Sequence, residues 1–412
     1  MVTVTTPHTW RSATLGEFFR IKHGYAFKGE YFSDSGPYVL LTPGNFSSDG
    51  GIKLKGEKEK YYIGPFPDEF LLQRDDLLVV MTDLTQTAAI LGSPAFIPYS
   101  NYFLHNQRLG KVYDISPGIE KQFLYQLLNT DAVRGQIKGS ATGSTVRHTA
   151  PDRIYAVKVT VPPLLTQRKI AVILSAYDDL IENNLRRIKI LEEMAQNLYR
   201  EWFVKFRFPG HDQTRFVDSP LGRVPEGWEV RKITELLKKV KRGLKIQKKD
   251  YAEKGFIPIV DQGREFLGGY TEDIESLNSG ELPLIIFGDH TRILKFIDFP
   301  FACGADGTQL LKSNNERMPM ALFYYTLLSI DLSDFAYARH FKFLKEKPII
   351  LPSLEISMSF EDFVLPLREQ IRSLMQRNAN LRRTRDMLLP KLISGAVDVS
   401  DLDIPIPEEA VA

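Results

Sequence analysis

From Gln167 to about Phe206 the apolar residues return at alternating spacings of three and four: Ile170, Leu174, Tyr177, Ile181, Ile188, Leu191, Ala195, Leu198 and Trp202, interrupted by one polar residue at Asn184. That period predicts a long helix with a coiled-coil seam, in which a lone Asn fixes register at some cost in stability. At 1.5 Å per residue the helix is roughly 60 Å long, more than one globular domain of this size needs. A second stripe, Ile371, Leu374, Leu381, Leu388 and Leu392, predicts a second helix with the same kind of seam. Two such seams in one chain are most simply satisfied by packing side by side. The short distance from Phe206 to the next globular segment favours an antiparallel pair.

The helices follow two globular segments, about 1–160 and 207–364, whose pattern is different. Short β-rich runs, Tyr38–Leu41 and Leu77–Met81 in the first, Phe256–Val260 and Leu284–Phe287 in the second, are punctuated by Gly, Pro, Asp and Ser. Each segment also carries a helical pattern, at Lys121–Leu128 and Met320–Leu328. Both read as α+β domains with a mixed or antiparallel sheet. The two halves correspond as a tandem repeat. Trp10 and Trp228 each precede an amphipathic stretch that ends in a basic-Gly turn, His23-Gly24 and Arg242-Gly243. Asn-Leu-Arg-Arg occurs at Asn184–Arg187 and again at Asn380–Arg383. Val161-Pro162-Pro163-Leu164-Leu165-Thr166-Gln167 and Val364-Leu365-Pro366-Leu367-Arg368-Glu369-Gln370 are read as the two helix openings, which makes the second helix shorter by about a heptad. The second stripe lies one position off the phase that the repeated tetrapeptide would give it. The division expected is 1–160, a spacer helix over 161–206, 207–364, a second spacer helix over 365–398, and an acidic tail over 399–412.

At 412 residues, 43% hydrophobic and 25% charged, the composition is that of an ordinary folded protein with room for two or three domains. The single cysteine, Cys303, excludes an internal disulfide and a Cys-rich zinc site, and with no signal-like start or bilayer-length apolar run it points to the cytoplasm. A net charge of +2 says nothing for or against nucleic acid. Locally, Arg368, Arg372, Arg377, Arg382, Arg383, Arg385 and Lys391 outnumber Glu369 and Asp386 on the second helix.

The chemistry of an enzyme is missing. Gly110-Lys111 is followed by Val112, so there is no phosphate-binding Gly-x-x-x-x-Gly-Lys-Ser/Thr loop. The one Pro-Pro pair, Pro162-Pro163, lacks the Asn/Asp before it and the aromatic after it that an amino-methylating DNA enzyme needs, and no lysine has an acidic residue two positions before it. The seven histidines never take the His-Glu-x-x-His spacing of a zinc site. No catalytic, cofactor or metal residue is expected in this chain.

Four strings in order along the chain carry a resemblance: Pro162-Pro163-Leu164-Leu165-Thr166-Gln167-Arg168-Lys169-Ile170-Ala171; Tyr199-Arg200-Glu201-Trp202-Phe203-Val204-Lys205-Phe206-Arg207-Phe208-Pro209-Gly210; Pro225-Glu226-Gly227-Trp228-Glu229; and Asp386-Met387-Leu388-Leu389-Pro390-Lys391-Leu392-Ile393-Ser394-Gly395. Together they resemble the specificity subunits of type I DNA restriction-modification enzymes over essentially the whole chain. Phe287-Gly288-Asp289-His290-Thr291 and Gly304-Ala305-Asp306-Gly307-Thr308 resemble one recurring kind of target-recognition domain. The resemblance implies two target-recognition domains separated by two long helices packed as an antiparallel coiled coil, a pseudo-twofold internal repeat. It also implies that each domain reads one half of a split, asymmetric site in double-stranded DNA. The helices would dock DNA methyltransferase subunits, two of them, and through these the restriction/translocase subunits. S-adenosylmethionine, ATP and Mg belong on those partners. Two other readings stay open on sequence: a stand-alone DNA methyltransferase or nuclease with an unrecognised motif, and a coiled-coil scaffold that binds no DNA.

Base reading needs forked or amide side chains on loops, with hydroxyls and backbone amides on phosphates. Lys138–His148 is small, polar and basic at its ends, and offers Ser140, Thr142, Ser144, Arg147 and His148. Ala338-Arg339-His340-Phe341-Lys342 is its positional equivalent in the second half, offering Arg339, His340 and Lys342. Tyr25, Lys28 and Asn45 in the first domain and Gln262, Arg264, His290 and Arg292 in the second complete the candidate DNA-binding set.

Overall fold

The computed structural model describes residues 9–304, 306–333 and 339–406. Among them are seven α-helices: α1 (Lys121–Leu128), α2 (Asp131–Gly139), α3 (Pro151–Tyr155), α4 (Leu164–Tyr199), α5 (Met320–Leu328), α6 (His340–Glu346) and α7 (Leu354–Ile393). The chain divides into two compact units, Met1–Asn183 with Asn378–Ala412, and Asn184–Arg377. Each unit therefore contains one globular segment and a stretch of both long helices.

In the first unit, Arg11–Thr14 pairs antiparallel with Lys158–Val161, so the segment's first strand closes on its last. An antiparallel sheet runs Arg20–His23, Leu109–Tyr113, Leu77–Val80, Pro94–Phe96. A second, mixed sheet runs Phe32–Ser33, Tyr61–Tyr62, Tyr38–Leu40, Phe103–Leu104, its last pair parallel. The unbroken apolar run Leu77-Leu78-Val79-Val80 is explained by burial on both faces: Leu77 and Val79 enter a core with α1, α2 and the start of α4, while Leu78 and Val80 enter another with Val39, Ala95 and Phe103.

The second unit repeats this plan. Glu229–Lys232 pairs with Pro348–Leu351, Leu284–Gly288 lies between Leu294–Ile297 and Thr308–Leu311, and Ile257–Val260 runs parallel to Phe301–Cys303. Ile285 and Phe287 face a core with α5, Trp228 and Phe360, while Leu284 and Ile286 face Val260, Phe301 and Cys303. Trp10 and Trp228, each just before the strand that pairs with the last strand of its globular segment, Arg11–Thr14 and Glu229–Lys232, are both buried. Gly24 and Gly243 sit where the backbone passes too close for a side chain: a Cβ would fall 2.2 Å from the Asn106 carbonyl oxygen and 2.5 Å from that of Ser276.

Within each unit the long helices run antiparallel. In the first, Asp178 is paired with Arg385 at 2.5 Å, Asn378 donates to the Ile181 carbonyl at 3.4 Å, and Leu174 shares a core with Leu392. In the second, Tyr199 and Trp202 meet Phe360. The predicted first stripe is the buried one, with Ile170, Leu174, Ile181, Ala195 and Trp202 inside; Tyr177, Asn184, Ile188, Leu191 and Leu198 are partly buried, because two helices alone leave the flanks of a seam open. The seam's buried Asn is Asn378, not Asn184.

The second helix departs from expectation at its start. The strand leading into it is Pro348–Leu351, and α7 begins at Leu354, so Val364-Leu365-Pro366 lies well inside it. Pro352, which cannot donate to a ladder, is the counterpart of Pro162. The second helix is consequently not a heptad shorter: α7 has 40 residues, and α4 has 36 and continues through a five-residue π-helical turn, Arg200–Val204. The true correspondence from the two helix starts aligns Ile170 with Phe360, Leu174 with Val364 and Ile181 with Ile371, all buried. Asn184 lies 20 residues beyond Leu164 and Asn380 lies 26 beyond Leu354; the difference of six is one short of a heptad and accounts for the one-position offset between the stripes.

The acidic tail is only partly described. Its first part folds onto the first unit: Val399 is buried, the Lys169 ammonium donates to the Ser400 carbonyl at 2.6 Å, and residues 407–412 lie outside the described residues.

Candidate nucleic-acid interface

In each domain the parallel strand pair and the central antiparallel strand end on the same side, and the loops that follow them gather there. In the first domain the end of Leu77–Val80 is flanked on both sides: the Met81 amide donates to the Arg108 carbonyl and the Met81 carbonyl accepts from the Thr149 amide. Beyond it Thr82–Asp83 pairs with Arg147–His148, with Thr82 Oγ1 and His148 Nδ1 3.0 Å apart. Thr142 exchanges two backbone hydrogen bonds with His148, which pinches 142–148 into a turn with Ser144 exposed. Tyr25 bridges to Asn106. Tyr25, Thr142, Ser144, Arg147 and His148 are thus brought to one end.

Several expectations need correction here. Lys138 and Gly139 are the last turn of α2 and Ser140 its C-cap, so the flexible run is shorter than it reads. Arg147 is partly buried, and one of its terminal nitrogens donates to the Lys138 carbonyl at 3.1 Å. Asn45 is 1% exposed. Its carbonyl accepts from the Thr42 amide, the Thr42 hydroxyl and the Lys55 ammonium, and its Nδ2 donates to Glu59 at 2.8 Å. Buried and bonded in this way, the amide is out of reach of a base, and Asn45 braces its own turn instead. Lys28 is exposed, within 3.9 Å of Glu30, beside the aromatic cluster of Tyr25, Phe27 and Tyr62.

In the second domain Gln262 ties the loops together. Its Nε2 donates to the Asp306 carbonyl at 2.9 Å, its Oε1 accepts from the His290 amide at 3.1 Å, and its carbonyl accepts from the Thr291 hydroxyl at 2.7 Å. The amide therefore organises the end rather than reading from it. His290, Arg292, Arg264, Arg339 and Lys342 are exposed. Arg292 holds a left-handed backbone, φ +61°, and donates to the Leu332 carbonyl. His340 is a further correction: it is 5% exposed in the first turn of α6, and burial pushes its imidazole pKa down. Ala305 and Ala338, within strings read from sequence, lie outside the described residues. The Arg-His pairs nonetheless take matching places. Each is held against the Asp that follows the central strand, Asp83 in one domain and Asp289 in the other, the latter accepting from the amides of His340 and Phe341.

A buried cation steadies the loops in each domain. The Arg134 guanidinium donates to the carbonyls of Leu91, Ala89 and Ser48 at 2.8, 2.7 and 3.1 Å. Lys295 donates to the carbonyls of Asp261 and Glu265 at 2.8 and 2.5 Å, and burial lowers its pKa. Such fixed loops lose little freedom on binding.

Sequence reasoning missed two features. Gln107 and Arg108 are exposed on the turn after Phe103–Leu104, legible only once that strand's end is known to lie beside Tyr25 and Met81. Eight basic residues fall within 238–254 against Asp250 and Glu253. Charge counted over the whole chain hid that run. It contains Ile246, which bridges to Gly304, so Lys245, Lys248 and Lys249, all exposed, flank the loop end of the second domain. Among the described residues no group of three or more His, Cys, Asp or Glu is placed to hold a metal ion, and no helix is long and apolar enough to cross a membrane.

The type I restriction modification DNA specificity domain matches residues 7–193 and 225–381, one copy on each domain and its following helix. The chain belongs to the type I restriction-modification DNA specificity family. A Methanocaldococcus jannaschii relative, the type I restriction enzyme MjaIX specificity subunit, is 29% identical over 308 residues, 69% of this chain and 71% of the relative. The MjaVIII specificity subunit of the same organism is 23% identical across 96% of this chain and 95% of its own length. In fold, the chain is similar to the crystal structure of a type I restriction-modification S subunit from M. genitalium, with TM-score 0.56 and 17% identity over 95% of this chain and 98% of that one. As a specificity subunit the chain supplies DNA sequence recognition and is itself non-catalytic.

Proposed function

We propose that this specificity subunit reads a bipartite, asymmetric site in double-stranded DNA. Domain 1–160 contacts one half-site and the second domain, read from sequence as 207–364 and cut back to 207–353 by the start of α7, the other. The helices, read from sequence as 161–206 and 365–398 and now with the second begun at Leu354, act as antiparallel spacers in a pseudo-twofold repeat. They dock two methyltransferase subunits and, through these, restriction/translocase subunits, all in the cytoplasm, with S-adenosylmethionine, ATP and Mg on the partners. The observation that carries this reading is the repeated frame with unlike contents. Both domains gather loops at the same strand ends, yet one end presents Gln107, Arg108 and Arg147 and the other His290, Arg292 and Arg339. Two such heads suit two different half-sites, and half-sites one turn of DNA apart lie about 34 Å from each other, a distance helices of this length can span.

The remaining candidates take roles by position. Arg147, His148, Arg292 and Arg339 are assigned to bases or their adjoining phosphates. Lys28, Ser140, Thr142, Ser144, Arg264 and Lys342 are assigned to phosphates. The test is to express the chain with its methyltransferase and sequence the modified bases in cellular DNA. The expected result is one split, asymmetric motif of two unlike halves. No modification, or a continuous motif without a gap, overturns the reading.

A further inference from the structure

We propose that the exposed turn Leu84–Thr87 is a base-reading element of the first domain, with the Gln86 amide as its reader. This rests on the reading of the chain as a two-headed DNA reader and names a contact within it. The turn follows the short strand Thr82–Asp83, which lies just beyond the central strand and pairs with Arg147–His148. Leu84, Thr85, Gln86 and Thr87 are all exposed, and Leu84 is 53% exposed although apolar.

The turn is nevertheless rigidly held. Asp83 accepts from the Thr85 amide and hydroxyl, both at 2.8 Å, and from the Ile90 amide at 2.8 Å. The Ala88 amide donates back to the Thr85 carbonyl at 3.2 Å, which puts Gln86 and Thr87 at the two central positions of a tight turn. Arg134 clamps the far side through the Ala89 and Leu91 carbonyls. Among the described residues the Gln86 amide has no hydrogen-bond partner, so its donor and acceptor are both presented outward from a fixed base.

The second domain supplies an independent argument. Its central strand Leu284–Gly288 is followed by Asp289, buried and accepting from the Phe341 amide at 2.8 Å, and then by exposed His290, Thr291 and Arg292. A buried aspartate keeps its place in both domains, its carboxylate accepting from the following turn in one and from the Phe341 amide in the other, while the exposed side chains beyond it differ: Leu-Thr-Gln-Thr in one, His-Thr-Arg in the other. A frame held constant under changing polar tips is what two heads with different targets require. A glutamine amide presents a donor and an acceptor side by side and matches N6 and N7 of adenine in the major groove, a groove wide enough to admit a β-ribbon turn; Leu84 beside it is suited to a thymine methyl.

The test uses the chain in complex with its methyltransferase, acting on a plasmid library of randomised sequence whose modified bases are sequenced. Gln86→Ala is expected to lose the base preference at one position of one half-site, by about ten-fold or more, while the other half-site and the gap stay as in the wild type. In direct binding to a duplex oligonucleotide of the wild-type motif, Gln86→Ala is expected to bind about ten-fold more weakly and to stop discriminating at that one position. An unchanged motif, or equal loss at both half-sites, overturns the assignment. A wild-type complex that yields no split motif overturns the underlying two-headed reading and this contact with it, whereas a split motif indifferent to Gln86 overturns the contact alone.

Discussion

His105 is buried beneath the turn carrying Asn106–Arg108. One ring nitrogen donates to the Leu109 carbonyl at 2.9 Å, the other has no partner, and burial pushes its pKa from 6.5 down to about 4. Between those values the unfolded chain takes up a proton that the folded chain refuses, so the contribution is complete above pH 6.5 and is lost as the pH falls. Urea unfolding is expected to show a loss of about 2 kcal/mol between pH 7 and pH 5 from this group, and His105→Gln, which keeps a donor for Leu109, to flatten that dependence. Arg339→Ala addresses the interface itself. It is expected to cost about 1–3 kcal/mol of binding and to relax one position of the second half-site, measured on oligonucleotides altered base by base; equal weakening on every sequence instead identifies a phosphate contact. At this scale the sequence was legible only in part. Arg339 and Arg147 could be picked out by type and by their repeated Arg-His context, but nothing in the letters tells that Asn45 and His340 are buried while Gln86 and Gln107 are exposed. Polar residues near turns are read as surface by default, and only the surrounding loops decide otherwise.

Helices carry the domains, and their attachment is specific. The Glu361 carboxylate of α7 accepts from the Ala321 and Leu322 amides at the start of α5, and Gln167 of α4 accepts from the Glu120 amide just before α1. Each long helix thus satisfies donors at the beginning of a domain helix that have no partner within it. Glu361 is 7% exposed, so Glu361→Ala leaves those amides buried and unpaired and is expected to cost about 1–3 kcal/mol in urea unfolding, with Glu361→Gln, which retains an acceptor, losing less. The existence and seam of the first helix, the central strands and the helices at 121 and 320 were all legible, because each has a strong period or an unbroken apolar run. The start of the second helix was not. A proline usually marks a helix opening, yet Pro366 lies on the exposed face of α7, where its missing N–H interrupts the helix without ending it. The repeated Asn-Leu-Arg-Arg misled in the same direction, since a short identical string outweighed the buried pattern Phe360, Val364, Ile371 that fixes the true alignment.

For the whole molecule the question is how affinity and spacing divide between parts. On the proposed reading the lysines of 238–254 are assigned to phosphates, so their contribution is counterion release rather than base discrimination. The triple change Lys239→Gln, Lys245→Gln, Lys249→Gln is expected to weaken binding to all sequences alike. It is also expected to make the salt dependence shallower by about 0.9 for each phosphate left without its lysine, read from binding across a salt series. On the proposed reading, spacing is set by the helices. In the first unit the start of α4 packs on the end of α7, and in the second the end of α4 packs on the start of α7, so lengthening one helix alone would put its seam out of register with the other. A matched change avoids that: seven residues inserted after Ile188 and seven after Arg372 add two turns to each helix and keep both seams in phase. Each insertion lengthens its helix by about 10 Å, equivalent to about three base pairs at 3.4 Å each. Sequencing of modified bases is then expected to show the same two half-sites with a gap longer by about three. Insertion in α4 alone is expected to lower stability without yielding a defined new gap. A folded doubly extended chain that keeps the original gap would show that something other than the helices sets the distance between the half-sites.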